Sequence, residues 1–175
     1  FLYNLKSKEK KLVKEQEIPS GHNSNDYVVE RIDCPSHDGR MVPITITRHK
    51  DTVLDGSSNL LLYGYGSYGN SMSPGFSSTR LSLIDRNIIW VTAHIRGGME
   101  RGRKWWKEGK LLNKKNTFED YIAVAKFLVE KKYTSKGKII GMGGSAGGLL
   151  MGVVANEAPD LFLGLIMAVP FVDSL

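Results

Sequence analysis

One serine stands among glycines where the sequence reads GMGGSAGG, at residues 141–148. Within this stretch, Gly143-Gly144-Ser145-Ala146-Gly147 fits the pattern G-x-S-x-G, in which a serine hydroxyl acts as a nucleophile. Five residues alone are a weak signal. The pattern carries this meaning where it follows a buried strand and opens a helix.

The flanking segments provide that setting. KGKIIGMG (136–143) predicts a buried strand, and GGLLMGVVANEA (147–158) predicts a helix rich in small residues. We therefore expect Ser145 in a strained backbone conformation, with the N–H of Ala146 aimed at a carbonyl oxygen under attack. The alternative is that the glycines only allow tight packing of a strand–helix turn. A phosphate-binding turn is excluded, because neither GxGxxG nor GxxxxGK[ST] is matched.

A second stretch, LLYGYGSYG (61–69), follows a predicted early strand of the sheet. Folds that carry G-x-S-x-G place the other half of the oxyanion hole in such a loop. The Tyr65 hydroxyl could supply that donor in place of a backbone N–H. On the residues alone, the default interpretation is that Tyr63, Tyr65 and Tyr68 are half-buried aromatic side chains of a loop.

The elements that must position these residues alternate along the chain. YVVERIDC (27–34) and VPITITRH (42–49) predict an antiparallel hairpin around Asp38-Gly39. Apolar runs then predict strands buried on both faces, with helices between them. The predicted strands are NLLLYGYG (59–66), NIIWVTAH (87–94), KGKIIGMG (136–143) and part of LFLGLIMAVP (161–170), and the helices lie at 78–86, from 117 onwards, and at 147–158. This order indicates a mainly parallel, doubly wound α/β fold.

The longest of these helices is predicted to begin at Thr117. Its side chain can cap the helix, with Asp120 three residues on in a capping-box arrangement. The apolar residues repeat at helical spacing; they are Phe118, Tyr121, Ile122, Ala125, Leu128 and Val129.

Composition excludes several classes of protein. Of 175 residues, 41% are hydrophobic and 24% charged, as in a globular domain. No apolar run approaches the roughly 18 residues of a membrane span, so no membrane association is expected. The net charge of +6 raises nucleic acid as a partner, but acidic residues interrupt both basic clusters (6–15 and 101–110), and a solvated surface is favoured. Cys34 is the lone cysteine, which predicts a reducing, cytoplasmic location. The cysteine and four histidines lack metal-ligand spacing, so neither metal nor cofactor is expected.

Several longer motifs occur together and in order. They are YGYGSYG (63–69), HIRGG (94–98), WWKEGKLLNKKNTFEDYIA (105–123), GGSAGGLLMG (143–152), PDLF (159–162) and VPFVD (169–173). In order and spacing, this set resembles the prolyl oligopeptidase family of serine peptidases, and most closely its oligopeptidase B branch, in which alanine follows the serine. The resemblance covers about residues 1–175.

The resemblance implies the N-terminal part of an α/β-hydrolase peptidase domain over residues 26–175. Residues 1–25 would be the last strands of a β-propeller and a linker. It also implies that Ser145 is the nucleophile of a peptidase for short peptides, and that the Ala146 N–H and Tyr65 hydroxyl are oxyanion donors. Tyr68 lies where the family has an aromatic residue near its specificity pocket. The family's usual RGGGE is here RGGME (96–100), so Met99 puts the shape of that loop in question.

The partners that would activate the serine are not found in the family's order of serine, acid and histidine. His22, His37, His49 and His94 all precede Ser145, and the later acids are Glu157, Asp160 and Asp173. His94 ends a buried strand within HIRGG and is interpreted as structural. We expect the base and acid to lie outside these residues, and the chain alone to lack significant peptidase activity.

The chain opens at Phe1 and ends in the apolar IMAVPFVDSL, which suggests a segment of a larger polypeptide. The sheet would then end at the strand near 163–169 with an apolar edge. Such an edge favours self-association or a complementary C-terminal fragment. Two other hypotheses remain: a split or decayed gene product kept as an interaction piece, and an α/β-hydrolase of the esterase class.

Overall fold

The secondary structure is taken from a computed structural model that describes residues 1–173. The strands are β1 (Leu2–Tyr3), β2 (Lys10–Lys11), β3 (Tyr27–Pro35), β4 (Met41–His49), β5 (Leu60–Tyr63), β6 (Ile89–Ala93), β7 (Ile139–Gly144) and β8 (Phe162–Ala168). The α-helices are α1 (Ser78–Ile84), α2 (Arg103–Lys107), α3 (Lys115–Glu130) and α4 (Ala146–Glu157). Short 3₁₀ turns occupy Ser24–Asp26, Leu111–Asn113 and Pro159–Leu161.

Six strands form one sheet in the order β3-β4-β6-β5-β7-β8. The predicted hairpin of β3 and β4 is antiparallel, and β4 also pairs antiparallel with β6. The remaining pairs, β6 with β5, β5 with β7 and β7 with β8, are parallel. The carboxyl ends of these four parallel strands therefore meet at one edge of the sheet, which brings the loops after β5 and β6 beside the turn after β7.

The centre of the sheet is covered on both faces. Successive residues of a strand point to opposite faces, and Leu60, Leu61 and Leu62 of β5 are all buried. Helix α1 packs against β4 and β6, whereas α3 packs against β3, β4 and α4. Burial on two sides thus explains the apolar runs of β5 and β6, and the predicted mainly parallel α/β fold is confirmed. The prediction that the strand within 161–170 is buried on both faces was wrong, because β8 is the edge strand and most of its residues are exposed.

The start of α3 differs from the prediction. The helix begins at Lys115, not Thr117. The Thr117 hydroxyl donates to the carbonyl oxygens of Arg96 (2.8 Å) and Gly109 (3.2 Å) instead of capping the helix, and Asp120 accepts hydrogen bonds from Arg96. The capping-box assignment was wrong because both side chains are buried and have partners in a distant loop.

Two smaller differences concern α1 and α2. Helix α1 ends at Ile84 and is shorter than the segment predicted over 78–86. Helix α2 was not predicted, because its segment RKWWK lacks an apolar stripe and only Trp105 is buried. The Trp105 indole N–H donates to the carbonyl oxygen of His94 (3.0 Å), so α2 is held against the loop that follows β6.

The chain begins with a separate two-stranded antiparallel ribbon. Leu2 pairs with Lys11 and Tyr3 with Lys10, on either side of a turn that contains Lys6 and Lys8. The linker that follows packs against the main body, since the His22 ring stacks on Tyr27 (centroids 5.2 Å apart) and meets Phe76 edge-on (5.1 Å). Ser174 and Leu175, the end of the predicted second domain, lie outside the described residues.

One margin of the sheet is apolar and open. Strand β8 is the last strand of the order, and Leu163, Ile166 and Met167 are each exposed, as is Val169 just beyond it. This confirms the expected apolar edge. Over residues 1–173, no helix combines the length and apolar character of a membrane span, and no cluster of three metal-binding side chains occurs.

Candidate active site

Ser145 occupies the sharp turn between β7 and α4. Its backbone has φ +54° and ψ −113°, a combination that non-glycine residues rarely adopt, and its side chain is exposed. The turn is fixed from both sides: the Ser145 N–H donates to the carbonyl oxygen of Ala168 (2.8 Å), and the Ser145 carbonyl accepts from the N–H of Gly148 (2.9 Å). The predicted strained conformation is therefore present.

The glycines around this turn allow close packing, as the alternative interpretation required. A Cβ at Gly143 would overlap the carbonyl oxygen of Gly147, and one at Gly147 would lie 2.8 Å from the carbonyl oxygen of Gly64. Packing thus explains Gly143 and Gly147. It does not explain a serine at the positive-φ position itself, where glycine would be free of strain.

Helix α4 begins directly after the serine. The N–H groups of Ala146 and Gly147 have no partner within the helix, and the Ser145 side chain does not cap it. The Ala146 residue is almost fully buried, so its N–H faces little competing water. The positive end of the helix dipole lies at the same place. This terminus can stabilise negative charge that develops beside the Ser145 hydroxyl.

The loop after β5 lies against the first turn of α4. We call Gly64–Gly69 the tyrosine loop. It continues the sheet through a hydrogen bond from the Gly64 N–H to the Met142 carbonyl (3.0 Å). A Cβ built on Gly147 would be 3.5 Å from both Cα and Cδ2 of Tyr65. The sheet thus brings half-buried Tyr65 next to the serine turn, as the topology requires.

Tyr68 stands at the exposed tip of the same loop. It adopts φ +58° and is 71% exposed, and its ring centroid lies 6.5 Å from that of Tyr65. An open groove of about 460 Å³ borders Ala146. Its lining is mostly apolar and aromatic with two lysines: Ser67, Tyr68, Trp106, Gly109, Lys110, Leu111, Lys114, Ala146, Leu149 and Phe171. Lys110 Nζ lies 3.6 Å from the centre of the Trp106 ring.

A buried ion-pair network supports the loop after β6. The Arg96 guanidinium is 1% exposed and donates to Asp120 Oδ2 (2.9 Å), Asp120 Oδ1 (2.6 Å) and Asp38 Oδ2 (2.5 Å). Burial disfavours the charged guanidinium, but these carboxylates outweigh that effect and raise the pKa of Arg96. The network joins this loop to α3 and to the β3–β4 turn.

The loops after β5 and β6 touch through their backbones. A Cβ at Gly97, which has φ +99°, would overlap the carbonyl oxygen of Gly66. The Gly69 N–H donates to the Gly97 carbonyl (2.9 Å). Met99, whose effect on this loop was in question, packs its side chain beside Gly69 and leaves this contact intact. The ion-pair network therefore supports the tyrosine loop through the Arg96–Gly97 backbone.

His94 is buried directly after β6, where its ring contacts Thr45 and Glu100 rather than Ser145. Its Nε2 is hydrogen-bonded to Thr45 Oγ1 (2.8 Å), and its Nδ1 lies 3.7 Å from Glu100 Oε1. These contacts agree with the structural role predicted for it. Within residues 1–173, the Ser145 hydroxyl has no histidine or carboxylate as a hydrogen-bond partner.

The structure also shows supporting residues that sequence reasoning missed. Lys114 donates to the Gly66 carbonyl of the tyrosine loop, and Arg96 and Asp120 pair behind the Gly97 backbone that contacts this loop. Asp120 was assigned to a helix cap, and Lys114 was considered only as part of the motif at 105–123. A buried aspartate in an otherwise apolar helix face was the available signal, because such a group requires a cationic or hydrogen-bonding partner.

Comparison with known proteins gives consistent matches along the chain. The model of the prolyl oligopeptidase family matches residues 74–175. The chain is 48% identical over 171 residues to dipeptidyl aminopeptidase BI of Pseudoxanthomonas mexicana, covering 97% of this chain and 24% of that protein.

Two solved structures show the same fold. Oligopeptidase B from Leishmania major has a TM-score of 0.91 at 44% identity, covering 98% of this chain and 24% of that one. Oligopeptidase B from Trypanosoma brucei with covalently bound antipain, in a closed form, has a TM-score of 0.91 at 41% identity, with 97% and 24% covered. The chain thus spans about a quarter of the length of these relatives.

Proposed function

Because this chain belongs to the prolyl oligopeptidase family, we propose that it carries the nucleophile and the oxyanion-binding groups of a serine peptidase that hydrolyses short peptides. The observation that carries the proposal is the backbone of Ser145, at φ +54° between a parallel strand and a helix. A strained, exposed serine beside free helix N–H groups is suited to attack a carbonyl and to stabilise the resulting charge.

The proposed chemistry is acyl transfer. Ser145 Oγ attacks the carbonyl carbon of the scissile peptide bond and loses its proton to a base, while the carbonyl oxygen becomes an oxyanion. The N–H of Ala146 and the hydroxyl of Tyr65 donate to that oxyanion. The C–N bond then breaks, the amine leaves with the proton from the base, and water hydrolyses the acyl-enzyme to release the acid and restore the serine.

Peptides are the substrate class that the comparisons favour. One relative with 41% identity holds covalently bound antipain, and other family members are named as endopeptidases. The groove beside Ala146 offers aromatic and apolar surface for a side chain next to the scissile bond, with Tyr68 at its rim. We assign Tyr68 to substrate binding on this basis.

The base and acid of the mechanism are expected from polypeptide other than residues 1–173, because Ser145 has no such partner among them. Under this proposal, residues 26–175 are part of an α/β-hydrolase domain and residues 1–25 are the end of a β-propeller with its linker. Expressed alone, the 175-residue chain should show no significant peptidase activity, since losing a triad histidine costs on the order of a millionfold in turnover.

The apolar edge at β8 favours a second role for the isolated chain, as an interaction piece. Leu163 in the last strand of the sheet is 63% exposed, and Val169 just beyond that strand is 82% exposed. Edge strands pair with other chains. Under this proposal, the partner of the β8 edge is a complementary C-terminal fragment or a second copy of this chain. Buried, unpaired Cys34 suits a reducing compartment, and we place the protein in the cytoplasm.

The test uses the native polypeptide that contains this sequence, whatever its length, and a fluorophosphonate probe read by tandem mass spectrometry. We expect the label on Ser145, its loss in Ser145→Ala, and its retention in Ser7→Ala, a serine in the remote β1–β2 turn. Label on another serine, or none at all, would contradict the proposal. A preference for simple esters over peptides among labelled protein would favour the esterase alternative.

A further inference from the structure

Lys114 immediately precedes α3 and reaches the tyrosine loop. Its Nζ donates to the carbonyl oxygen of Gly66 (2.6 Å) and to Ser67 Oγ (2.9 Å). Gly66 directly follows Tyr65 in the chain. The lysine is therefore bound one residue away from the tyrosine whose hydroxyl is a proposed oxyanion donor.

The tyrosine loop has few means of holding its own shape. Three of its six residues have positive φ: Gly66 (+67°), Tyr68 (+58°) and Gly69 (+71°). Three backbone hydrogen bonds involve the loop: Gly64 N–H donates to Met142 (3.0 Å), Gly69 N–H to Gly97 (2.9 Å) and Asn70 N–H to Ser67 (3.0 Å). A loop with such dihedral angles persists when its surroundings over-determine it.

Helix α3 supplies those surroundings through a row of polar side chains, Lys114, Thr117 and Asp120, one turn apart. Thr117 and Asp120 bind the Arg96 backbone and guanidinium, so they fix the loop after β6. Lys114 is the member of the row that binds the tyrosine loop directly. The row therefore holds both loops that border the serine turn.

Local helix physics does not account for a lysine at this position. Lys114 is the N-cap residue of α3, where a positive charge opposes the helix dipole and the preferred residues have short acceptor side chains. The ammonium is also partly desolvated, which lowers its pKa to about 8. Both effects act against stability. The favourable contacts of the ammonium are its two hydrogen bonds to the tyrosine loop and a longer contact with the Phe118 ring, whose centroid lies 5.8 Å away.

We infer that Lys114 is a positioning residue that holds the tyrosine loop so that the Tyr65 hydroxyl stays on the reacting carbonyl oxygen. The inference rests on the proposed function, since it assigns a catalytic purpose to the position of Tyr65. Lys114 also lines the groove beside Ala146, but its ammonium group is bound to the tyrosine loop and does not touch the reacting atoms. Its effect is transmitted through the Gly66 peptide unit.

The experiment is a double-mutant cycle in the native polypeptide, read as kcat and KM for a peptide substrate and as the rate of fluorophosphonate labelling. Lys114→Met should lower kcat by about 10²-fold with little change in KM, because a displaced catalytic group loses rate steeply with distance. In a Tyr65→Phe background, Lys114→Met should cost less than about threefold, because coupled residues are not additive. Lys114→Arg, which keeps N–H donors, should restore part of the rate.

Lys138→Met is the matched control, because Lys138 Nζ also donates to a backbone carbonyl, that of Ser57 (2.8 Å), but far from the tyrosine loop. Amide hydrogen exchange over residues 64–70 should quicken in Lys114→Met and not in Lys138→Met. Equal losses of kcat in both Tyr65 backgrounds, or wild-type kcat in Lys114→Met, would overturn the inference.

Two further variants keep the test decisive. If Lys114→Met does not fold, Ser67→Ala can replace it, because it removes only one of the two acceptors of Lys114. Its effect on kcat should also depend on Tyr65, but with a smaller coupling than that of Lys114→Met. Failure of the proposed function looks different: Ser145→Ala would then leave labelling and turnover unchanged, whatever Lys114 does.

Discussion

Tyr65 is expected to contribute through one hydroxyl group, so its removal is a sharp test at the scale of a residue. Tyr65→Phe in the native polypeptide should lower kcat by about 10²–10³-fold, or about 2.7–4 kcal/mol of transition-state stabilisation, with KM nearly unchanged. The control is Tyr3→Phe in the remote ribbon β1–β2. A loss of affinity without a loss of kcat would assign Tyr65 to substrate binding instead.

The pKa of Lys114 gives a second prediction at this scale. Burial lowers this pKa to about 8 from an ordinary value of 10.5. Between those values the unfolded chain binds more protons than the folded one, so this group makes the protein more stable as pH rises from about 8 to 10.5. Lys114→Met lacks this contribution. The free energy of unfolding of wild type minus that of the variant should therefore increase between pH 7 and pH 10.

Urea denaturation at the two pH values measures this difference, and groups common to both proteins cancel. A difference that is constant or falls with pH would show that Lys114 is not desolvated in the folded state. Taken with the kinetic cycle, the prediction implies that near neutral pH Lys114 serves the site at the expense of stability.

At the scale of elements, the ion-pair network between the β6 loop and α3 is the strongest support of the site. Asp120 is fully buried against Arg96. Asp120→Asn leaves a buried guanidinium without its main counter-charge and should lower the free energy of unfolding by about 3–5 kcal/mol. The exposed pair Arg101–Asp33 is the control. Asp33→Asn should change the free energy of unfolding by less than about 1 kcal/mol. Equal effects would mean that the buried network is not a support.

The close approach of two loops gives a prediction with an internal control. Gly97 and Gly137 both have positive φ, but a Cβ at Gly97 would overlap the Gly66 carbonyl, whereas one at Gly137 meets nothing within 4 Å. Gly97→Ala and Gly137→Ala therefore share the backbone strain and differ in the clash. Gly97→Ala alone should reduce labelling of Ser145 and lower the melting temperature much more than Gly137→Ala. Similar melting temperatures would show that the loops can separate freely.

The elements also show what the sequence could predict. Strands β5 to β8 were predictable because each is a short apolar run, although β8 at the edge of the sheet is mostly exposed. The strained serine followed from a motif between a strand and a helix. Thr117 and Asp120 were misassigned because a capping box is a local pattern, whereas their actual partners lie 21 and 24 residues away. The role inferred for Lys114 depends on the same kind of distant contact. Local patterns determine the elements, and the fold determines which side chains reach the site.

At the scale of the whole molecule, the open edge of β8 determines how the isolated chain should behave. Its exposed leucine, isoleucine and methionine side chains lie on the last strand of the sheet. Expressed alone, the 175-residue chain should self-associate, and Leu163→Lys should reduce this association. Val29→Lys places the same charge on β3 at the opposite edge, where Val29 is also exposed, and should have a smaller effect. Sedimentation velocity measures both, and a monomeric wild-type chain would contradict the prediction.

The strained backbone at Ser145 has a consequence for how this sequence changes over generations. A non-glycine residue held in such a conformation costs on the order of 1–3 kcal/mol, and glycine would relieve much of that cost. Because folded proteins have little stability to spare, a lineage without need of the hydroxyl would gain by accepting glycine there. The serine at this turn therefore indicates that its hydroxyl has been needed in the lineage. We expect Ser145→Gly to be inactive and to have a higher free energy of unfolding than the wild type.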